Sequence, residues 1–467
     1  MDTPWIVHRP PATIALAGSV LLGSLGVSIV TVAMPALAAA FAEPVAQVQW
    51  VVIAYLLAAT LTVVIAGKLG DTIGHRRVLL LGLVIFAVAS VACALAPTLG
   101  ALAAARAVQG IGAAVLMTLP MSILKETVVQ ERLGSAMGLL GTMSAVGTAL
   151  GPSLGGLVLS GLGWRAVFAP LAVLGALTLL AAVITIPANT ARTSDKTARM
   201  DWPGAILLAV ALCAYSLLMS MGGGDLASTS MLLVGTVIAF IAFVAVESRA
   251  ASPLVPLSAI SCRTAASALT TNLIMSTVMM TTLVVGPFYL SLSLGLDDSV
   301  VGAVMSVGPI TAALTGIAAG RAVDKYGNQT VMVAGLIEAS IGFISLALIP
   351  RYLGVSGVVL SLIILTPGFQ MFLAANSTAL MAAAPHDQRG VLSGLLGLSR
   401  NLGFVTGASA MATLFTFAVG HADVLAAGAG AVANGFSGTF LAASGLTLVA
   451  LIGAILGRSR RTADVEE

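Results

Sequence analysis

Charge is what this sequence has least of: Lys, Arg, Asp and Glu make up 8% of its 467 residues, against roughly 25% in a soluble globular domain. A chain so poor in charge cannot cover itself for water, which excludes a water-soluble fold. The balance of 21 Lys+Arg against 18 Asp+Glu gives a net charge of +3, too sparse for the basic footprint that nucleic acid requires. Cysteine is scarce too, and Cys93, Cys213 and Cys262 form no C-x-x-C pair, so neither a disulfide framework nor a zinc site is signalled. The four histidines, His8, His75, His386 and His421, all lie outside apolar runs, leaving no ligand set for a metal or haem within an apolar layer. The phosphate-cradling pattern G-x-x-x-x-G-K-[ST] is absent, so no ATP engine is visible. No cofactor, no metal and no catalytic residue is expected, and the chain does not read as an enzyme.

What is present is apolar surface. Hydrophobic residues make up 58% of the chain, about 271 residues, enough for thirteen or fourteen membrane crossings at roughly 20 residues each. Cutting at charges, prolines and turn residues gives spans near 13–40, 47–66, 78–96, 99–122, 134–159, 165–186, 203–221, 230–248, 264–291, 299–320, 330–349, 353–380, 391–417 and 437–457. The first apolar run, Ala12 to Ala40, exceeds the roughly 7 to 15 residues of a signal-peptide core and is expected to be retained. Continuous runs such as VLLLGLVIFAVASVACALA contradict the period-two alternation of a membrane barrel. Fourteen spans place both termini on one side. Seventeen of the Lys and Arg residues fall in the two tails and the loops of that side, whereas only Arg165 and Arg351 fall in the opposite loops, so that side is expected to be cytoplasmic.

The chain repeats itself. Gly134, Gly138, Gly141, Gly147 and Gly151 recur 256 positions later as Gly390, Gly394, Gly397, Gly403 and Gly407. Likewise Asp71 and Gly74 in GKLGDTIGHRR recur 253 positions later as Asp324 and Gly327. Two six-span halves related by duplication follow. We expect a cytoplasmic N-terminus (1–11), an N-terminal six-helix bundle (12–186), a linker holding two extra spans (187–263), a C-terminal six-helix bundle (264–457) and a cytoplasmic tail (458–467). Parallel repeats about an axis normal to the membrane are a transporter plan, with the binding site between them near the midplane.

These residues carry a family resemblance covering nearly the whole chain. Gly67, Gly70, Asp71, Gly74, Arg76 and Arg77 resemble the loop signature between spans two and three of the major facilitator superfamily. Arg106, Gln109, Gly110 and Gly112 resemble its fourth-span motif, and Gly147, Gly151, Pro152, Gly155 and Gly156 its fifth-span antiporter motif. The six-two-six layout is similar to the fourteen-span drug:proton antiporter branch. The resemblance implies an all-α polytopic membrane protein with the major facilitator fold, and a secondary transporter in the bacterial inner membrane that exports lipophilic compounds. It implies that the chain acts as a monomer and that protons drive it.

Each motif also has a physical meaning. In the second loop, glycines allow a tight turn, and Asp71 with Arg76 and Arg77, echoed by Asp324, can form a latch between alternating conformations. Gly147, Gly151 and Gly155 recur every four residues, the spacing of a close helix contact, with Gly156 beside them and Pro152 as a hinge; Ala408 stands at the proline's equivalent in the second copy, so only the first copy is expected to kink. Charges inside a membrane are functional candidates by default. Three are found: Arg106, Arg400 and Glu338. Arg106 can serve substrate or proton, or bond backbone carbonyls of a neighbouring helix; Arg400, with Asn401 beside it, can face a cavity or pair structurally; Glu338 can carry a proton or hold a local partner. Tyr55, Gln109, Asn272, Tyr289, Gln370 and Asn376 can line a cavity or bond between helices. Met275, Met279, Met280, Met305 and Met371 can form an adaptable wall or fill the core.

One position departs from the branch. Its drug exporters usually carry an aspartate in the first span followed five residues later by asparagine, where GVSIVTVAMP has Gly26 and Thr31. Without that carboxylate, cation preference loses its counter-charge and proton exchange its natural carrier. A neutral, zwitterionic or anionic lipophilic substrate is expected, with an uncoupled or importing metabolite carrier as the alternative.

Overall fold

The computed structural model describes residues 10–127, 130–186, 202–220, 226–250, 263–383, 389–420 and 424–466, and the regular structure among them is helical. Thirteen of these helices are long and apolar enough to cross a membrane, and a shorter apolar stretch covers Pro203–Leu218. In chain order they are α1 (Pro10–Thr31), α2 (Trp50–Ile73), α3 (His75–Ala94), α4 (Leu99–Thr127), α5 (Gln130–Leu162), α6 (Ala169–Thr185), α7 (Trp202–Ser220), α8 (Leu226–Glu247), α9 (Arg263–Phe288), α10 (Asp298–Tyr326), α11 (Asn328–Leu348), α12 (Pro350–Ala383), α13 (Arg389–Thr406) and α14 (Ala429–Glu466). Long apolar residues such as Leu177, Met231, Ile241 and Ile452 stand exposed on the outside. That is the surface a bilayer requires, since every backbone group is already satisfied inside a helix.

Two expected spans are divided. The run 13–40 is α1 followed by a second helix, Met34–Phe41, with Pro35 in its first turn, where a missing N–H does no harm. The run 391–417 is α13, a π turn over Gly407–Met411, and a last helix Ala412–Val419. Where a kink was expected only in the first copy, α5 is helical on both sides of Pro152, and the second copy carries an irregular turn of its own. A π turn accommodates one extra residue in a helix without a proline. At the start of α12, Gly354 leaves the helical region (φ 52, ψ −127), and the regular span begins after it.

The pairings of α1–α6 recur among α9–α14. α1 packs on α5 and α6, as α9 does on α13 and α14; α4 packs on α2 and α3, as α12 does on α10 and α11. The halves meet chiefly through α5 with α10, and through α2 with α13. α8 packs on α7, and α7 lies against both α2 and α13, where the Tyr215 hydroxyl donates to Thr406 Oγ1 at 3.2 Å. One continuous apolar cluster, from Leu16 and Phe86 to Phe372 and Phe440, fills the interior.

Candidate functional site

The polar centre of the first half is built where α4 presses on α2. A side chain on Gly110 would collide with the Tyr55 carbonyl, so only glycine lets the two backbones approach so closely. One turn away, the Arg106 guanidinium lies 4.2 Å from the centre of the Tyr55 ring, a cation–π contact. Its Nε donates to the Val51 carbonyl at 3.0 Å, and its Nη1 donates to Gln109 Oε1. Gln109 Nε2 donates to Ser90 Oγ at 2.6 Å, and that hydroxyl donates to the Phe86 carbonyl at 2.7 Å. The Tyr55 hydroxyl donates to the Gly23 carbonyl at 2.8 Å. The network links α1, α2, α3 and α4 around one buried cation. Arg106 is 0% exposed, and its Nη2 has no hydrogen-bond partner.

Gly26 borders the same network. A Cβ there would lie 2.8 Å from the Tyr55 hydroxyl oxygen and 3.2 Å from the Phe86 ring. The space beside Gly26 is filled by two aromatic side chains.

The second loop is organised by Gly74, whose φ of 100° ends α2 and begins α3, as Gly327 at φ 80° does between α10 and α11; both lie in the region that side chains avoid. Arg76 reaches the C-terminal end of α6, with Nε on the Ile186 carbonyl at 2.7 Å and Nη2 on the Val183 carbonyl at 3.0 Å. A cation there satisfies carbonyls that the helix leaves open. Arg77 and Asp324 are exposed, and Gly70 abuts His75 and Leu119. The side chains of Lys68 and Asp71, and those at 134, 138, 141, 390 and 394, lie outside the described residues.

The fifth-span glycines divide between two contacts. Gly147, Gly151 and Gly155 press on Leu21, Ser28 and Ile29 of α1, as Gly403 and Gly407 press on Leu273 and Thr277 of α9. Gly156 crosses to the other half: a Cβ there would stand 2.9 Å from the Cα of Gly302, and one on Gly302 would stand 2.9 Å from the Cα of Gly156. Nearby, the short helix Val45–Val48 lies against Ala412–Val419, and Met34–Phe41 against α9. Toward the opposite end, a Cβ at Gly67, Gly320 or Gly397 would meet nothing within 4 Å.

In the second half three of the candidate polar groups hold helices together. Asn272 Nδ2 donates to the Leu396 carbonyl at 3.0 Å and Asn376 Nδ2 to the Ala268 carbonyl at 3.1 Å. The Tyr289 hydroxyl donates to the Pro350 carbonyl at 3.2 Å, and its ring stacks on Phe436 with centroids 4.1 Å apart. Arg400 is exposed, and Asn401 and Gln370 are half-buried. Glu338 is half-buried against Gly368 of α12. Met275, Met280 and Met305 are buried in the core, with Met279 packed at its edge, and Met371 beside Gly335.

Sequence reasoning missed Ser90, Gly302 and the pairing of Gly26 with Tyr55. Ser90 is a lone hydroxyl in an apolar run, which a helix usually satisfies from its own backbone. Gly302 lies outside every repeated position, and only its packing reveals it.

A family model described as Major Facilitator Superfamily matches residues 16–408 and again 267–466. The riboflavin transporter RibZ of Clostridioides difficile is 28% identical over 420 residues, covering 89% of each chain. The tetracenomycin C resistance and export protein of Streptomyces glaucescens is 28% identical over 423 residues, covering 89% of this chain and 77% of that one. Among solved structures, a bacterial homologue of the human lysosomal transporter Spinster superposes with a TM-score of 0.70 at 16% identity, covering 98% of each chain. A D-xylose–proton symporter gives 0.69 at 16% identity, covering 96% of this chain and 97% of its own; at such identities the likeness concerns the fold.

Proposed function

Because the chain belongs to the major facilitator superfamily, it is a multi-pass secondary transporter and not an enzyme, and we propose that it exports small lipophilic compounds in exchange for protons by alternating access. The observation that carries alternating access is the seam between two bundles of matching helix pairings, formed where α5 meets α10 and α2 meets α13. On that seam Gly156 and Gly302 meet backbone to backbone. Two bundles joined along such a seam can rock about it. The excess of Lys and Arg in the tails and in the loop that holds Arg76 and Arg77 supports a cytoplasmic position for that loop and both termini, with the bacterial inner membrane as the location. Export of lipophilic compounds draws on relatives such as the tetracenomycin C resistance protein. The protein acts as a monomer, with Arg106 and Gln109 in the pathway.

The test uses purified protein in liposomes with an imposed pH gradient and an internal pH dye, challenged with cationic, neutral and anionic amphiphiles. Substrate-triggered proton flux that is lost in Arg106→Ala is the expected outcome. Substrate movement without proton flux would overturn coupling. That result would support a second reading, an uncoupled or importing carrier, which Gly26 favours because the first span holds no proton carrier at that position.

A further inference from the structure

We infer that Arg106 recognises an anion, and that the cargo is a lipophilic acid whose carboxylate supplies the counter-charge that the protein withholds. The inference rests on the proposed transport role and names its substrate class. Arg106 is fully buried, yet its acceptors are neutral, the Val51 carbonyl and the Gln109 amide. One nitrogen of the guanidinium, Nη2, donates to nothing. A buried charge without a counter-charge is strongly unfavourable, so a nearby carboxylate would be expected. The described acids do not provide one. Gly26 stands where a first-span acid would be, and Tyr55 and Phe86 close the space above it. Glu338 packs against Gly368 in the other half. Glu43, Glu247, Asp297, Asp298 and Asp324 stand between helices or within three residues of helix ends.

What is left is one free guanidinium nitrogen on a charged group, a charge-assisted donor suited to a carboxylate oxygen. The Tyr55 ring, now stacked on the guanidinium, and the buried Phe86 ring would flank an apolar body once the cluster opens. A cationic drug would meet repulsion from the same charge, and a neutral one would leave it uncompensated. Because Arg106 is fully buried in this conformation, the acid engages it in a state of the cycle in which the cluster opens.

The test is equilibrium binding in detergent, without any gradient, by calorimetry with three matched probes: 1-naphthoate, 1-naphthalenemethanol and 1-naphthylmethylammonium. Saturable 1-naphthoate binding at least tenfold tighter than that of the alcohol is expected, with the ammonium weakest. Arg106→Gln should abolish the preference and Arg106→Lys retain part of it. If Arg106→Gln does not fold, Gly26→Asp combined with Tyr55→Phe keeps the arginine and supplies an internal carboxylate; the preference for 1-naphthoate should then vanish. Equal binding of the three probes, tighter binding of the ammonium, no saturable 1-naphthoate binding, or a preference that survives these substitutions would overturn the inference. Proton-coupled movement of neutral or cationic compounds alongside such a result would leave the export role standing. Carboxylate-selective binding without transport would do the reverse.

Discussion

At the residue scale the first-half centre shows how little side chain is needed to place a charge. Gly110 sets the distance between α4 and α2, and Arg106 follows from it. Gly110→Ala should destabilise the protein by about 1–3 kcal/mol, because its Cβ must displace the Tyr55 backbone rather than a flexible side chain; thermal unfolding in detergent would record a lower midpoint. Arg106 and Gln109 were legible because charge and amide are rare in apolar runs and the membrane penalises both. Their partners were not. Backbone carbonyls of Val51 and Phe86 carry no signature in a sequence, and Gly26 shows only that an acid is missing, not that Tyr55 and Phe86 fill the space beside it. Asn272, Asn376 and Tyr289 were left open between cavity and helix contact, and in this conformation their donors all meet backbone carbonyls.

At the scale of elements, motion and anchoring are assigned to different contacts. The Gly156–Gly302 crossing joins the halves with no side chain on either side, so it can separate without breaking a hydrogen bond between those two residues. Gly302→Val should wedge this crossing apart and favour the state open at that end. Thiol labelling of a single cysteine placed near residue 45 should rise several-fold while transport falls. Arg76, in contrast, ties α3 to the end of α6. Arg76→Ala should lower stability by about 0.5–1 kcal/mol, the usual size of a cation's interaction with a helix C-terminus, whereas exposed Arg77→Ala should stay within about 0.5 kcal/mol; paired thermal melts would separate them. The glycine spacing in α5 was legible as a packing face, but which glycine served which neighbour was not, since Gly155 and Gly156 differ only by the roughly 100° that one residue turns around a helix.

At the scale of the whole molecule the sequence was most informative, and for a physical reason. A bilayer admits helices of a narrow range of lengths, so apolar runs cut at charges and prolines locate spans even where side-chain contacts are invisible. The divided first and eleventh core spans escaped because an apolar run continues unaltered through a break of one or two residues. Orientation is the testable remainder. Green fluorescent protein fused after residue 467 should fluoresce, as it folds only in the cytoplasm, and alkaline phosphatase fused within the loop between α7 and α8 should be active only outside.

The π turn at Gly407–Met411 bears on ancestry. If the halves descend from one duplicated segment, one extra residue entered the second copy, or one left the first, at a turn that packs on α9. Beyond Gly407 the constant offset between copies then slips by one. A chimera that splices α5 into the place of α13 without allowing for that slip would present every later side chain about 100° away from its ancestral neighbour.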